Sequence, residues 1–586
     1  MNGITSELKQ TRSVVTTSAG LVATGHPLSA EAGAAILSAG GNAVDAAATA
    51  IFATWVTEPA SCGLGGLGRG IVYDSSRREV RVLSSTGGVP SSARADMFEL
   101  QEGLDPWGRW RKVKNDANMI GPLSPMVPGM LAGVCEVLER SGSMPLDRLL
   151  APAIRLAEEG IAVDGYTTLQ IAANLARMRE FPETATIFMP EGQPLRPEAM
   201  HQQGSKLIQR DLANTLSMIA HEGPSAFYEG EIGARIASHL QQQGGILSAH
   251  DLSAYEPEYA PPARTGSYRD CELVWSDGFF ANLVLNVLEH FDMAAIEPGT
   301  AEYYHLLIEA TRHSFATLLT YLADPLVHPS PLAALWSKRY AAQVAGRIDK
   351  ERASDRIDPV NPWPTETLLT GQDAPNDLPP HRNSLVDPGT SQVVVADASG
   401  NVATFNVTHS GPFGSMVTVP GTGVLLNGAM TSMDPVPGKP HSIHPKRRHL
   451  GFSAPVLAMR NGEPAFAFSA SGGRSVITCQ VQMVCGMVDY GLSPQEAAEF
   501  PRMHCELEGV RLDRRVDESE VRRLRELGHD VNLVEETFYA PYFARPVCIG
   551  IDPNGAALRS GISHVHRVAA VGLPGASKFR LGRLRL

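Results

Sequence analysis

Apolar residues recur at spacings of three and four through much of the first 350 residues, a period typical of amphipathic helices. Ser29 and Asn42 are suited to cap the first two predicted helices, because their side chains can accept backbone N–H bonds. The pattern predicts helices over Ala30–Ala39, Ala43–Val56, Gly129–Arg140, Leu146–Glu159, Asp211–Ala220, Gly230–Gln243 and Thr300–Leu322.

Near residue 390 the pattern changes to short β-branched runs separated by turn residues. They predict strands over Gln392–Ala396, Val402–Val407, Gly423–Leu426, Ala454–Met459 and Ala465–Ser469, followed by helices over Ser475–Gly491 and Ser493–Glu499. Earlier, Arg69–Tyr73 and Glu79–Leu83 are predicted as a strand pair. The chain is therefore expected to combine a helix-rich N-terminal part with an α/β part that begins near residue 390.

Composition and charge narrow the class of protein. The 586 residues are 43% hydrophobic and 19% charged, as in an ordinary globular protein. A net charge of −12 without a long basic run argues against nucleic-acid or membrane partners. The seven cysteines are scattered without a CxxC pair, and no long apolar segment appears. We expect a cytoplasmic protein without a bound metal.

The glycine-rich segment Gly63–Gly68 matches the pattern G-x-G-x-x-G of dinucleotide-binding loops. That chemistry requires a strand before the glycines and a helix after them, because the helix N-terminus holds the phosphates. Here a helix is predicted before the loop and a strand after it. The segment is expected to let two backbones pass closely, and no cofactor is predicted.

A glycine–threonine pair, Gly389–Thr390, lies where a turn enters a predicted strand. A threonine hydroxyl is a weak nucleophile, but the α-amino group of an N-terminal threonine can act as its base. This design requires cleavage of the peptide bond before Thr390. From the residues alone, an ordinary turn is the commoner explanation of such a pair.

Two further stretches could complete such a site. Gly472 and Gly473 lie between a predicted strand and helix, where backbone N–H groups can stabilise an oxyanion. Thr408 follows the strand that returns from the turn after Thr390, so a hairpin can bring the two hydroxyls together. Gly472 and Gly473 are also explained as a plain strand-to-helix turn, and Thr408 is also explained as a surface threonine with high β propensity.

Taken together, these stretches resemble the γ-glutamyltranspeptidase family of N-terminal-nucleophile hydrolases. Residues 40–47, GGNAVDAA, and residues 58–66, EPASCGLGG, are similar to the family's GGNAVDAA and EPxxxGxGG motifs. Later blocks are similar in the same order: Val127–Gly129, Pro152–Ala157, Gly244–Tyr255, Asp397–Asn401, Pro420–Asn427 and Ser471–Gly473.

The resemblance implies an α/β fold of the four-layer αββα type and a chain that cuts itself. Residues 1–389 would form a helix-rich large subunit and residues 390–586 a small subunit that stays bound, with higher homo-oligomers left open. By position, Thr390 would be the nucleophile, Thr408 would hydrogen-bond it, and Gly472 and Gly473 would form the oxyanion hole.

The positions that bind the γ-glutamyl group in this family are altered. The arginine that pairs with the substrate carboxylate falls on Thr86, and the aspartate that holds the amino group falls on Ser432. The neighbouring asparagine falls on Ser410, and a serine pair falls on Gly451 and Phe452. Each lost charge-assisted hydrogen bond is worth roughly 1.5–3 kcal/mol, so a less charged acyl pocket is expected.

Three functions follow from this comparison. The preferred one is a self-processing amidohydrolase that hydrolyses a small amide whose acyl group is not γ-glutamyl. The second is a true γ-glutamyltransferase or glutathione hydrolase whose carboxylate clamp uses Arg69, Arg474 or Arg448. The third is an uncleaved binding protein, because Ser391-Gln392 is unusual after the nucleophile.

Overall fold

The computed structural model describes residues 12–574, except 107, 109, 326–327, 375–388, 446, 449–454, 538–541 and 564–566. In chain order, the strands are β1 Thr16–Thr17, β2 Gly20–Thr24, β3 Leu67–Asp74, β4 Glu79–Ser85, β5 Leu100–Leu104, β6 Arg111–Val113, β7 Ile161–Ala162, β8 Lys206–Leu207, β9 Glu258–Ala260, β10 Thr265–Tyr268, β11 Cys271–Trp275, β12 Thr390–Asp397, β13 Val402–Thr408, β14 Thr418–Val419, β15 Val424–Leu425, β16 Val456–Arg460, β17 Glu463–Ser471, β18 Met503–His504, β19 Val510–Asp513, β20 Val531–Val534, β21 Arg545–Ile551, β22 Leu558–Ile562 and β23 Ala569–Gly572.

The helices are α1 Pro27–Ser38, α2 Ala43–Thr57, α3 Met130–Ser141, α4 Leu146–Glu159, α5 Gly165–Ala173, α6 Leu175–Met178, α7 Pro182–Phe188, α8 Arg210–Glu222, α9 Ser225–Tyr228, α10 Glu231–Gln242, α11 Ala249–Ser253, α12 Phe279–Leu288, α13 Ala301–Tyr321, α14 Leu332–Trp336, α15 Lys338–Ala345, α16 Trp363–Thr370, α17 Ser475–Val488, α18 Pro494–Glu499 and α19 Glu518–Glu526.

Two seven-stranded sheets form the centre of the molecule. The first has the order β1-β22-β21-β17-β16-β11-β10, and the second has the order β23-β2-β12-β13-β3-β4-β9. A core between them contains Val394 of β12, Leu457 of β16 and Ile549 of β21. Both sheets combine strands from before and after residue 390, so the two parts expected from the sequence do not form separate sheets.

Helices cover the outer face of each sheet. The outer face of the second sheet shares a core with α1 and α2, in which Val393 and Phe405 contact the helix layer. The outer face of the first sheet shares another core with α12, α13 and α17. The side chains of β12 therefore alternate between the helix layer and the space between the sheets. This alternation fixes the directions in which the residues after Thr390 project.

The start of α1 differs from the expectation. The prediction that Ser29 caps this helix is wrong, because α1 begins at Pro27 and His26 provides the cap. Proline is favoured at the first helical position, where its missing N–H would be unsatisfied anyway. Ser29 Oγ is instead hydrogen-bonded to Thr57 Oγ1 at 2.9 Å. The predicted cap of α2 is confirmed, with Asn42 and Asp45 forming a capping box.

Within the described residues, no helix is both long and apolar enough to span a bilayer. The same residues contain no group of three or more histidine, cysteine, aspartate or glutamate side chains placed to hold a metal ion.

Candidate active site

The two candidate hydroxyls meet where β12 begins and β13 ends. Thr390 and Thr408 are directly paired across these antiparallel strands. Thr390 Oγ1 donates to Thr408 Oγ1 at 3.2 Å, and Thr408 Oγ1 donates to the carbonyl oxygen of Gly389 at 2.5 Å. The backbone N–H of Ser410 also donates to Thr408 Oγ1, at 2.9 Å. A continuous hydrogen-bonded chain thus joins the Thr390 hydroxyl to the carbonyl of its preceding residue.

Gly389 occupies a position that a larger residue could not. Its φ angle is +155°, and a Cβ atom there would lie 2.7 Å from the carbonyl carbon of Gly411. The glycine therefore brings the bond before Thr390 against the loop that follows β13. Ser410, in the same loop, has a φ angle of +63°, a left-handed conformation that is uncommon for a residue with a side chain.

The predicted oxyanion glycines lie in the turn between β17 and α17. Gly472 and Gly473 have φ angles of +141° and +57°. A Cβ atom on Gly472 would lie 2.8 Å from Ala544 Cα, so the turn requires glycine there. Ser475 Oγ donates to the Gly472 carbonyl at 2.5 Å. The backbone N–H groups of this turn, which lies at the start of α17, can act as hydrogen-bond donors.

Hydrogen bonds between the two sheets bring this turn to the Thr390 end of β12. Asn406, two residues before Thr408, donates from Nδ2 to the Ala470 carbonyl at 2.7 Å. Its Oδ1 accepts from Ser469 Oγ at 2.8 Å. β13 and β17 are thus joined next to the site, and Thr390 and Ser471 line the same cavity.

Ser391, the residue after the candidate nucleophile, makes a buried hydrogen bond. Ser391 is fully buried and faces the helix layer, where its Oγ donates to Glu58 Oε1 at 2.7 Å. Burial raises the pKa of Glu58, while Arg567 and the bond from Ser391 act in the opposite direction. The oxygen atoms of Glu58 also lie against Gly25, where a Cβ atom would approach them to 2.6 Å. Ser391 therefore connects the start of β12 to the EPASCGLGG loop.

Two arginines and a tyrosine adjoin Thr390 on its β2 side. Arg567 donates from Nη1 to Asp164 Oδ2 at 2.6 Å, and its Nη2 lies 3.9 Å from Glu58 Oε2. Arg545 donates to the Tyr166 hydroxyl at 3.2 Å. Both guanidinium groups lie over the Tyr166 ring, at 5.6 Å for Arg545 and 5.2 Å for Arg567.

These groups line a narrow pocket that reaches Thr390. Its empty volume is ≈ 250 Å³, including the open mouth. Gln392 projects into it from β12 and is only 2% exposed. Among the residues that the structure describes, no group is within hydrogen-bond distance of Gln392 Oε1. The pocket therefore contains polar groups with unused bonding capacity.

The predicted substrate-binding residues lie on the other side of Thr390. The path across the sheet runs from β12 through β13 and β3 to β4. Thr390 of β12 is paired with Thr408 of β13, which is paired with Leu67 of β3, and the start of β3 is paired with the end of β4. Thr86 follows β4, three strand spacings or ~14 Å from Thr390 across the sheet. It is buried, and Thr86 Oγ1 has no hydrogen-bond partner in the described part of the chain.

Ser410 and Ser432 are on this side as well, while the last two predicted residues cannot be placed. Ser410 adjoins Thr408 through the backbone bond described above. Ser432 ends a 3₁₀ turn over Ala429–Ser432, and its Oγ donates to the Ala429 carbonyl at 2.6 Å. Gly451 and Phe452 lie outside the described residues.

His409 does not face the candidate nucleophile. It is fully buried against the glycine-rich loop, and a Cβ atom on Gly63 would lie 2.7 Å from its ring. Burial lowers the pKa of His409 to about 4, so the ring is neutral at physiological pH. Its place next to Thr408 in the sequence puts it on the opposite face of the strand.

Comparison with known proteins places the chain in a family. The family model described as gamma-glutamyltranspeptidase matches residues 29–549. The chain belongs to the gamma-glutamyltranspeptidase family. The resemblance inferred from the sequence motifs is therefore confirmed.

Relatives in the gamma-glutamyltranspeptidase family include acylases and glutathione hydrolases. The chain is 37% identical over 521 residues to the acylase ACY 1 proenzyme of Pseudomonas sp. (strain V22), covering 88% of each chain. It is 30% identical over 519 residues to the glutathione hydrolase proenzyme of Bacillus subtilis (strain 168), covering 87% of this chain and 85% of that one.

Among solved structures, the cephalosporin acylase from Bacillus halodurans matches with a TM-score of 0.84 and 26% identity, covering 98% of this chain and 99% of that one. The family's mixed α/β fold is therefore present here. These matches identify the protein as an amidohydrolase of the gamma-glutamyltranspeptidase family that acts on C–N bonds.

Sequence reasoning missed the pocket on the β2 side. Glu58 lies in a recognised motif, but nothing in the sequence links it to Ser391 or to Arg567. Tyr166 and Arg545 lie in stretches without a distinctive pattern. They reach the site only because α5 and β21 converge there, and this convergence depends on tertiary structure.

Proposed function

We propose that the protein is a self-processing amidohydrolase in which Thr390, freed by cleavage after Gly389, forms an acyl-enzyme with a small acyl group other than γ-glutamyl. The observation that carries this proposal is the hydrogen-bonded chain from Thr390 through Thr408 to the Gly389 carbonyl. Its acylase relatives, at 37% and 36% identity, support the reaction class.

The directions of these bonds suit self-cleavage. Thr390 Oγ1 attacks the carbonyl carbon of Gly389 and transfers its proton to Thr408 Oγ1, which passes its own proton to the carbonyl oxygen. Collapse of this intermediate breaks the peptide bond, and the Thr390 nitrogen takes up the proton. The resulting ester is hydrolysed by water, which leaves Gly389 with a carboxylate and Thr390 with a free amine.

The same atoms would then turn over substrate. The free amine, with an ordinary pKa of ~7.7–8.0, accepts the proton of the Thr390 hydroxyl as that oxygen attacks the substrate amide. Backbone N–H groups of the Gly472-Gly473 turn stabilise the tetrahedral oxyanion. The leaving amine takes the proton, and water hydrolyses the acyl-enzyme with the Thr390 amine again acting as base.

The ion pairs of three candidate arginines favour an acyl group other than γ-glutamyl. The three arginines that could rebuild the carboxylate clamp are already engaged. Arg69 pairs with Asp277 at 3.2 Å, Arg474 with Glu506 at 2.8 Å and Arg448 with Glu258 at 2.6 Å. Recruiting any of them would break an ion pair, and Arg474 and Glu506 are both buried.

The unusual residue Ser391 is compatible with an active enzyme. Its hydroxyl reaches Glu58, so the unusual residue after the nucleophile keeps a hydrogen bond at the start of β12. We further propose the four-layer αββα arrangement of N-terminal-nucleophile hydrolases, with residues 1–389 as the large and 390–586 as the small subunit.

Thr390→Ala and Thr390→Ser test the proposal. Intact-mass analysis of the wild type should give two chains that meet between Gly389 and Thr390, and Thr390→Ala should remain one chain without amidase activity. Thr390→Ser keeps a hydroxyl and should still cleave, more slowly. Cleavage in Thr390→Ala would refute the assigned nucleophile, and rapid γ-glutamyl anilide turnover by the wild type would refute the proposed acyl specificity.

A further inference from the structure

The pocket on the β2 side of Thr390 is distinct from the position of the family's acyl clamp. In the second sheet, β2 and β23 lie on one side of β12, whereas β13, β3 and β4 lie on the other. Gly25 and Val568 border the pocket on the first side. Thr86 follows β4 on the second side. A substrate held at Thr390 can therefore contact two separate regions, one on each side of the nucleophile.

The two arginines of this pocket differ in their partners. Arg567 is held by Asp164 at 2.6 Å and by Thr167 Oγ1 at 2.9 Å, so its charge is matched. Arg545 is 7% exposed, and among the described residues its guanidinium donates a hydrogen bond only to the uncharged Tyr166 hydroxyl. Within the described residues, no carboxylate comes within ion-pair distance of it.

A buried cation without a matching anion is costly, which makes Arg545 a candidate ligand-binding group. Glu58, whose carboxyl interacts electrostatically with Arg545, already accepts a hydrogen bond from Ser391 and lies 3.9 Å from Arg567. Arg545 also starts β21 opposite Ser471, so its backbone is fixed in the sheet next to the glycine turn. The guanidinium therefore extends from a fixed strand position into the pocket that Thr390 also lines.

We propose that Arg545 binds a carboxylate of the substrate, on the side of Thr390 opposite Thr86. This proposal rests on the proposed amidase function and specifies its substrate class. Guanidinium groups bind carboxylates through paired hydrogen bonds, and Arg545 lines the same pocket as Thr390. Gln392 offers a further polar contact at the same place. The carboxylate can belong to the acyl group or to the amine that leaves.

Two matched pairs of probe amides distinguish these sources. Succinyl 4-nitroanilide carries an acyl-side carboxylate, and its carboxamide analogue carries none. N-butyryl 4-aminobenzoate carries an amine-side carboxylate, and its ethyl ester carries none. The mature wild type should prefer the charged member of one pair by about 10- to 100-fold in kcat/KM, the range expected for one charge-assisted interaction.

Arg545→Gln should abolish that preference, so that the ratio of kcat/KM for the charged probe to kcat/KM for the uncharged probe falls about 10- to 100-fold. Arg545→Lys should retain part of it, since lysine keeps the charge without the planar fork. Arg559→Gln, which removes an arginine paired with Asp552 at the surface, should leave both probes unchanged. An equal loss for charged and uncharged probes would overturn the proposal.

The proposal remains testable if Arg545→Gln does not fold, because absence of charge preference in both wild-type pairs would refute it. Calorimetric titration of mature protein with succinate separates it from the amidase proposal. Succinate binding that weakens in Arg545→Lys and disappears in Arg545→Gln supports the pocket even if no probe amide is hydrolysed. Amide hydrolysis without charge preference or succinate binding would retain the enzyme and reject the role of Arg545.

Discussion

Replacing Thr408 by valine provides a sharp test of the cleavage mechanism. Valine keeps the branched shape and β propensity of threonine but removes the hydroxyl. That oxygen donates to the Gly389 carbonyl at 2.5 Å and accepts from Thr390 Oγ1 at 3.2 Å and from the Ser410 N–H at 2.9 Å. The substitution therefore removes three hydrogen bonds with little change in volume.

The expected effects on rate and on stability differ. As Thr390 attacks, negative charge develops on the Gly389 oxygen, and loss of one preorganised donor to such an oxygen typically costs about 10²–10³ in rate. We expect cleavage of Thr408→Val to slow by about that factor. The Ser410 N–H loses its acceptor, which costs about 1–3 kcal/mol of folding free energy if the group stays buried.

Cell-free synthesis followed by denaturing gels over time measures conversion of the full chain into residues 1–389 and 390–586. Thr404→Val is the matched control, because Thr404 lies on the same face of β13 and bonds the Phe468 carbonyl at 3.4 Å, away from Gly389. It should cleave at the wild-type rate. Equal half-times for Thr408→Val and Thr404→Val would refute the relay through Thr408.

Three further predictions concern the glycine turn, a buried carboxyl and the start of β12. Gly472→Ala, with its Cβ 2.8 Å from Ala544 Cα, should reduce amidase kcat and displace the turn, visible in a crystal structure; wild-type kcat would contradict this. Burial raises the pKa of Asp434 from 3.8 to about 6, so its stability contribution is full below about pH 3.8 and lost as the pH rises through about 6. Asp434→Asn should therefore raise the Tm relative to wild type more at pH 7.5 than at pH 4. The corresponding gain in unfolding free energy should be larger at pH 7.5 by up to ~3 kcal/mol, and a pH-independent difference would contradict this. Ser391→Ala should lower the unfolding free energy by about 1–3 kcal/mol by leaving Glu58 without its donor, whereas Ser391→Thr should stay near wild type in denaturant titrations; equal losses would contradict this.

Amphipathic helices were predictable because one face carries the signal. α4 was predicted with its observed bounds, Leu146–Glu159, and the capped α2 ends one residue beyond its prediction. α12 was missed because nine of its ten residues are buried, which leaves no polar face to define a period. The order of strands in the two sheets could not be predicted, since it pairs segments hundreds of residues apart.

The same distinction applies to the site. Short-range strand pairing brings Thr390 to Thr408, and a hairpin prediction was sufficient for this contact. The glycine turn was recognisable from its residues. Arg545 and Tyr166 were not, because their proximity to Thr390 depends on how α5 and β21 come together in the folded chain. Motif comparison indicated only what the acyl side lacks, whereas the structure revealed a cationic pocket on the other side.

The interleaving of strands from both sides of Thr390 has a consequence for assembly. β12 lies between β2 and β13, and the other sheet likewise combines β11 with β16. A cut after Gly389 would therefore yield two polypeptides that each contribute strands to both central sheets. Neither polypeptide could form these sheets and their cores alone. Co-expression of the two pieces as separate genes should require them to find each other while folding. One continuous translation product avoids that encounter, and this explains mechanically why the nucleophile would be created by scission after folding instead of by synthesis of a separate chain.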